Sequence, residues 1–306
     1  MLTHNYSYEA TLADALKVTW KVDDLIGGDK HLDFSKPFMP EALAGVRGLS
    51  SLSAQEQLWL NQIRGNSYLY IFGFVEEYIL PFVLDQARAN LPGGDPNETL
   101  ALVTFAEEEA KHIALFRRFA DEFSRGFGSP CGVIGPAAEV AKVILSHSQL
   151  GVALLTLHIE WMTQAHYLDS VKDDQDLDPM FKSLLRHHWM EESQHAKLDT
   201  MLVDKLARAG GPEGIAKGFA DFAALGGAVD GLLQQQVQLD LASFEAKAGR
   251  KLGDEERKTV AAAQLKSYRY TFLVSGLVHK NFLTTVDQLS PGAADKMQAM
   301  ARQLSA

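Results

Sequence analysis

Proline and glycine punctuate this chain at intervals too wide for strands. Breakers fall at Pro37 and Pro40, at 91–96, 126–136 and 173–179, at Gly210-Gly211-Pro212, at Gly226-Gly227 and at Ser290-Pro291-Gly292. Most of the intervening segments run for about 25 to 40 residues and are rich in Ala, Leu, Glu, Gln and Lys, which favour helix. Alternating runs of Val, Ile and Thr are nearly absent, so the chain reads as all-α. Four long helices are expected at about 53–89, 97–124, 136–171 and 179–209. Asp178 before Pro179 has the form of an N-cap followed by proline at the first helical position, and Pro81 should kink the first long helix. Further helices are expected at about 228–248 and 254–289, with a short one after Pro291 and one more short helix in 211–227. The first 50 residues are poorly periodic and are expected to wrap the surface. The whole is expected to be one domain, 1–306, with its core bundle at about 53–209 and a helical extension at about 212–306.

Two of the long segments share a local spelling. The second carries Glu109-Ala110-Lys111-His112 and the fourth Glu192-Ser193-Gln194-His195. Three residues apart on a helix, both side chains lie within about 60° on one face. A single Glu-x-x-His is common on solvated faces. Two of them in different long helices match a four-helix, carboxylate-bridged two-metal site, which also needs one Glu from each remaining helix. The third helix offers Glu160, the only acidic residue in the apolar run 154–162. Buried there, its charge is costly unless it meets a cation, although a surface position beside Trp161 is the alternative. The first helix offers Glu76 and Glu77. Leu69, Phe72, Leu80, Val83 and Ala87 fall within about 60° of Glu76, whereas Arg64, Ser67, Asp85 and Arg88 lie towards the opposite side. Glu76 is therefore the expected ligand, with Glu77 at the edge of the stripe.

His188 lies four residues before Glu192, about 40° away on the same face, so the fourth helix presents His188, Glu192 and His195 as one column. His187 is about 140° from Glu192, and His158 and His166 are out of phase with Glu160; these three read as packing histidines. Asp199, nearly in phase with Glu192, is expected to be solvated, with orientation of an imidazole as the alternative. Leu69, Phe72, Phe105, Leu157, Ile159, Trp161 and Leu185 surround these positions and read mainly as bundle core. Carboxylate oxygens with imidazoles suit two divalent iron ions, manganese being possible and zinc less suited.

Composition excludes several other roles. Lys plus Arg is 29 against 39 Asp plus Glu, a formal charge of −10, which argues against nucleic acid or an anionic membrane as partner. Cys131 is the only cysteine, so no intrachain disulfide or cysteine-cluster metal site can form. No signal peptide is apparent, and the most apolar stretch, 150–157, is far short of a membrane span, so a cytoplasmic protein is expected.

The order Glu76, Glu109-x-x-His112, Glu160, His188-x-x-x-Glu192-x-x-His195 resembles the di-iron N-oxygenases typified by p-aminobenzoate N-oxygenase, over about residues 55 to 205. The resemblance implies a ferritin-like four-helix bundle with additional N- and C-terminal helices. It also implies two Fe ions that together reduce O2, an amine as the oxidised substrate, and an external electron donor. Glu109 and Glu192 would bridge the metals, Glu76 and His112 would complete one, and Glu160, His195 and His188 the other. Only His188 points to this branch; a hydroxylase, a desaturase or a manganese catalase on the same scaffold would use the remaining ligands. A metal-storage cage is disfavoured by the roughly fifty residues before and hundred after the bundle. A small organic substrate and a homodimer are expected.

Overall fold

The computed structural model describes residues 2–306. Three short helices, α1 (Tyr8–Ala15), α2 (Val22–Leu25) and α3 (Glu41–Ala44), precede α4 (Ala54–Asn90) and α5 (Pro96–Phe127). After these come α6 (Ala137–Leu145), α7 (Gln149–His166), a π-turn (Tyr167–Val171) and α8 (Pro179–Ala248). The chain closes with α9 (Asp254–Arg269), a second π-turn (Tyr270–Val274), α10 (Ser275–Leu277), α11 (Lys280–Leu289) and α12 (Ala293–Ser305). No strand occurs among the described residues. Helices α4, α5, α7 and the first arm of α8 form the bundle, in which α4 pairs with α5 and α7 with α8. A short turn joins the first pair, and the crossover 128–148, carrying α6, leads to the second.

Local chemistry sets these boundaries. Ser53 and Glu56 form a reciprocal cap at the start of α4. Asp95 caps α5 with Pro96 in its first turn, and α5 ends at Gly128 in the left-handed region, φ 71°. The Asp178 carboxylate accepts from the Phe181 amide at 2.6 Å, the cap expected before Pro179. Helix α4 runs through Pro81 without interruption.

Four expectations are corrected. The segment 136–171 is two helices and a π-turn, because Ser148 caps α7 and its own amide is tied at 2.8 Å to Asp221 of α8. Helix α8 breaks at Gly211 (φ 58°) but then runs on through Gly226-Gly227 to Ala248. The apolar stripe Phe222, Leu225, Leu233 and Val237 is buried against the bundle and outweighs a propensity cost of about 1 kcal/mol per glycine. The stretch 254–289 is divided by the second π-turn and by a break at Val278–His279. The N-terminal segment penetrates the fold: Phe38 and Met39 are buried, their amides donate to the Asn61 carboxamide at 2.8 and 3.0 Å, and Phe38 stacks on Phe181. Gly65 permits this approach, since a Cβ there would meet Phe38 at 2.9 Å.

Helix α4 is long and apolar enough to cross a membrane by length and composition, which the run 150–157 did not suggest. Here it is a core helix that carries a buried carboxylate. The C-terminal helices are pinned to it by Arg64, whose guanidinium lies 3.3 Å over the Tyr268 ring, and by Asp240, which accepts from Ser67 and Tyr268.

Candidate metal centre

Halfway along the bundle, all seven residues singled out by spacing meet in one buried cluster: Glu76 from α4, Glu109 and His112 from α5, Glu160 from α7, and His188, Glu192 and His195 from α8. Helical periodicity brings this about, since each residue lies on the inward stripe of its helix. Glu76 and Glu77 separate as their phase requires: Glu76 is buried 3.2 Å from His188, while Glu77 reaches outward to Arg117 at 2.6 Å.

Two sets of donor atoms emerge, each lying within 4.8 Å of one another: Glu76, His112, His188 and Glu192 in one, Glu109, Glu160, Glu192 and His195 in the other. Glu192 is common to both. Its Oε1 lies 2.9 Å from His188 Nε2 and 3.3 Å from His112 Nδ1, and its Oε2 lies 3.4 Å from His195 Nδ1. Glu109 Oε1 is 3.1 Å from His195 Nδ1, with its Oε2 4.0 Å from His112 Nδ1. His188 thus joins Glu76 and His112, not Glu160 and His195 as the resemblance implied. The reason is the pitch of α8: His188 lies one turn before Glu192 and His195 one turn after, so the two imidazoles meet opposite ends of its carboxylate.

Each of the two Glu-x-x-His histidines is held from behind. His112 Nε2–H donates to Glu191 at 2.9 Å and His195 Nε2–H donates to Glu108 at 2.8 Å, which turns both Nδ1 atoms into the cluster, where each would serve as a lone-pair donor once a metal ion takes the place of a proton. The hold is reciprocal, since Glu108 of α5 holds a histidine of α8 and Glu191 of α8 holds one of α5. Lys111 braces Glu191 at 2.5 Å and lies 4.3 Å from the centroid of the Trp20 ring. Sequence reasoning missed Glu108, Glu191 and Trp20. The signal for the first two was present: each Glu-x-x-His glutamate is preceded by a second glutamate, turned about 100° towards the neighbouring helix.

The donor set fits a pair of cations. Both oxygens of Glu109, one each of Glu160 and Glu192, and Nδ1 of His112 and His195 are buried without a hydrogen-bond partner. Six such atoms converging on one place are anomalous for a folded core and ordinary for ligands. Burial, with the neighbouring Glu192, pushes the Glu160 carboxyl well up. Glu192 is held well down against its burial by His188, Glu160 and His195. His195 is held well up by Glu192, Glu108 and Glu109 against a burial that opposes its charge. Asp199 corrects the expectation of a solvated carboxylate: it is fully buried, neither oxygen has a partner, and burial pushes it well up. It does not orient His195, because Glu108 has taken that nitrogen.

His187 bonds its own helix at Ser183, His158 bonds Leu273 O and His166 lies against Ser275, so these three stand outside the cluster as expected. Aromatic rings enclose it: Phe105 stacks on His195 at 3.9 Å, Phe72 and Phe116 pack edge-on against His188, and Trp20 stacks over His112 at 6.1 Å.

Helix order, the long crossover and the central carboxylate–histidine cluster define the ferritin-like class of fold. A solved structure agrees. An R2-like ligand-binding oxidase variant with an aerobically reconstituted Fe/Fe cofactor is 14% identical, over 87% of this chain and 93% of that one, with a TM-score of 0.50. Another, with an aerobically reconstituted Mn/Fe cofactor, is 15% identical over 87% and 94%, with a TM-score of 0.48. At such identity the first of these likenesses speaks to the fold alone. No protein-family model and no curated protein matches the chain.

Proposed function

We propose that the chain is an O2-activating oxidase with a di-iron or manganese–iron centre, in which Glu76, Glu109, His112, Glu160, His188, Glu192 and His195 hold the metals. Two buried donor sets sharing Glu192, with six inward atoms that lack any other partner, carry this reading. The metals borne by the ferritin-like neighbours are consistent with it. When bound, such a pair delivers electrons to dioxygen and generates the oxidant. The chain's own residues prepare the site. Glu108 and Glu191 fix the tautomer and aim of two imidazoles. Phe72, Phe105, Phe116 and Trp20 keep water away from the reacting atoms. The acceptor is a small organic molecule, and a redox partner supplies the electrons that regenerate the reduced pair.

Within this class we assign the chain to amine N-oxygenation, because of the third histidine. His188 gives one metal two imidazoles where the doubled Glu-x-x-His alone gives one. Metal analysis of protein loaded anaerobically with ferrous iron, followed by dioxygen-uptake measurements with amine and hydrocarbon acceptors, tests both levels. Two metals per chain and uptake stimulated by an amine are expected. Fewer than about one metal per chain after loading refutes the centre. Uptake stimulated by hydrocarbons alone refutes the amine assignment and leaves the centre standing.

A further inference from the structure

The geometry points to a route for a slender, straight-chain organic substrate that runs from the face of the C-terminal helices, past Leu155, to the carboxylate side of the metal centre. An outer cavity of about 280 Å³ lies between α7, the second arm of α8 and α12, with Phe222, Leu273 and Leu304 among its walls. An inner cavity of about 60 Å³, nearer the ligands, lies among α4, α6, α7 and the second arm of α8 and is almost wholly apolar, with Val75, Tyr78, Ile159 and Phe272 among its walls. Leu155 is a wall of both. The inner cavity stops one side-chain layer short of the ligands. Val75 and Ile159 adjoin Glu76 and Glu160 in sequence, and Phe272 packs on Phe72, which packs on His188.

Size and polarity define what fits. An engineered apolar cavity of roughly 150 Å³ takes a benzene ring. The inner cavity, at about 60 Å³, accepts an alkyl end and excludes an arene. Each cavity has one wall residue with a buried polar atom that lacks a partner, Tyr78 (Oη) for the inner and His158 (Nδ1) for the outer. His158 Nε2–H donates to Leu273 O at 2.8 Å, so its Nδ1 accepts. Gly226 and Gly227 form part of the outer wall, and a Cβ at either would meet nothing within 4 Å. The route therefore suits an unbranched aliphatic molecule bearing one small hydroxyl or amine. Only the choice of the inner end as the reacting end rests on the oxidase reading.

Calorimetric titration of the full-length protein with n-octanol tests the route, with metal content measured on the same samples. Gly227→Leu adds a side chain at the wall of the outer cavity, in open space and in place of a poor helix former, so this variant folds; Gly214→Leu makes the same change on α8 away from the cavity. Saturable binding is expected, weakened at least about tenfold in Gly227→Leu and in Leu155→Phe, and unchanged within about twofold in Gly214→Leu. Absence of saturable binding in the wild type, or undiminished affinity in Gly227→Leu, overturns the route; undiminished affinity in Leu155→Phe overturns the link between the cavities. Metal uptake without octanol binding refutes the route alone, and octanol binding without metal uptake refutes the oxidase reading alone.

Discussion

Replacing Glu160 by glutamine separates a metal ligand from a structural carboxyl. Burial and Glu192 push the Glu160 carboxyl well up, so in the metal-free chain it is a neutral group beside an ionised Glu192. Glutamine has nearly the same shape and is also a neutral donor. Glu160→Gln should therefore leave the metal-free protein within about 1 kcal/mol of wild type, since the hydrogen-bonding roles are conserved. With metal the outcome differs. A carboxylate ligand becomes a neutral amide, and even residues that only support a ligand are worth about 10–100-fold in affinity, so the loss at this set should exceed about 100-fold. For a chain of 306 residues the unfolding entropy is roughly 0.6 kcal/mol/K near the midpoint, so ferrous ion at a hundredfold excess over Kd, worth about 2.7 kcal/mol, raises Tm by about 4 °C per site. Anaerobic melting with and without ferrous ion reads both quantities. The wild type should gain on the order of twice the single-site shift, and Glu160→Gln no more than one site's worth from an unchanged starting Tm. A metal-free variant destabilised by several degrees, or one keeping the full metal-dependent shift, would refute the assignment of Glu160 as a ligand.

Three further outcomes follow from the same geometry. Glu108→Leu removes the acceptor of the His195 Nε2–H and should weaken metal binding about 10–100-fold in a chelator competition; unchanged affinity would show that this hydrogen bond does not aim the imidazole. His188→Ala should lower metal content from two towards one per chain, with the loss at the Glu76–His112 set; two tightly bound metals would remove His188 from the ligands. Acid should destabilise the protein through the packing histidines, because burial pushes His158 down to about 4 and His166 to about 3. Both are neutral in the fold, so their contribution is complete above the unfolded value of about 6.5 and is lost as pH falls through that window. For His158 the loss by pH 4 is about 3 kcal/mol, and urea melts of His158→Gln at pH 7 and pH 4.5 should show a correspondingly shallower decline; an identical decline would place its protonation elsewhere.

The bundle and its buried glutamate–histidine cluster were legible because both follow from the 3.6-residue period, which the sequence displays directly. Glu76 was separable from Glu77 by phase alone, and the structure places them 3.2 Å from His188 and 2.6 Å from Arg117 respectively. What period cannot display is contact between helices. The partition of His188, the hold of Glu108 on His195 and the insertion of Phe38 beside Gly65 all depend on which helix faces which, at what height. Glycine was misread for a related reason. Gly226-Gly227 has breaker chemistry, but tertiary burial of Phe222 and Leu233 on either side keeps the helix intact, and the missing side chains open a cavity wall. Asp199 was misread as solvated although its phase matches that of the inward Glu192: an unpaired carboxyl is costly to bury, and that general cost outweighed the phase, which pointed correctly to a buried position.

The two arms of the centre are near-copies with one difference. Glu-Glu-x-x-His occurs on α5 as Glu108-Glu109-x-x-His112 and on α8 as Glu191-Glu192-x-x-His195, and each motif's leading glutamate holds the other's histidine. Four residues before the in-facing glutamate, α8 has His188 and α5 has Phe105. His188 enters the donor set, whereas Phe105 stacks on His195 at 3.9 Å and adds none. That single departure from local symmetry makes the sets unequal: two imidazoles and two carboxylates in one, one imidazole and three carboxylates in the other. Imidazole suits iron, and carboxylate-rich surroundings suit manganese better than imidazole-rich ones do. Supplied with both ions, the chain should load iron preferentially at the His112–His188 set, and Phe105 is the position that prevents its counterpart from doing the same. The asymmetry lies in the protein itself and precedes any metal, so it can direct which ion binds where.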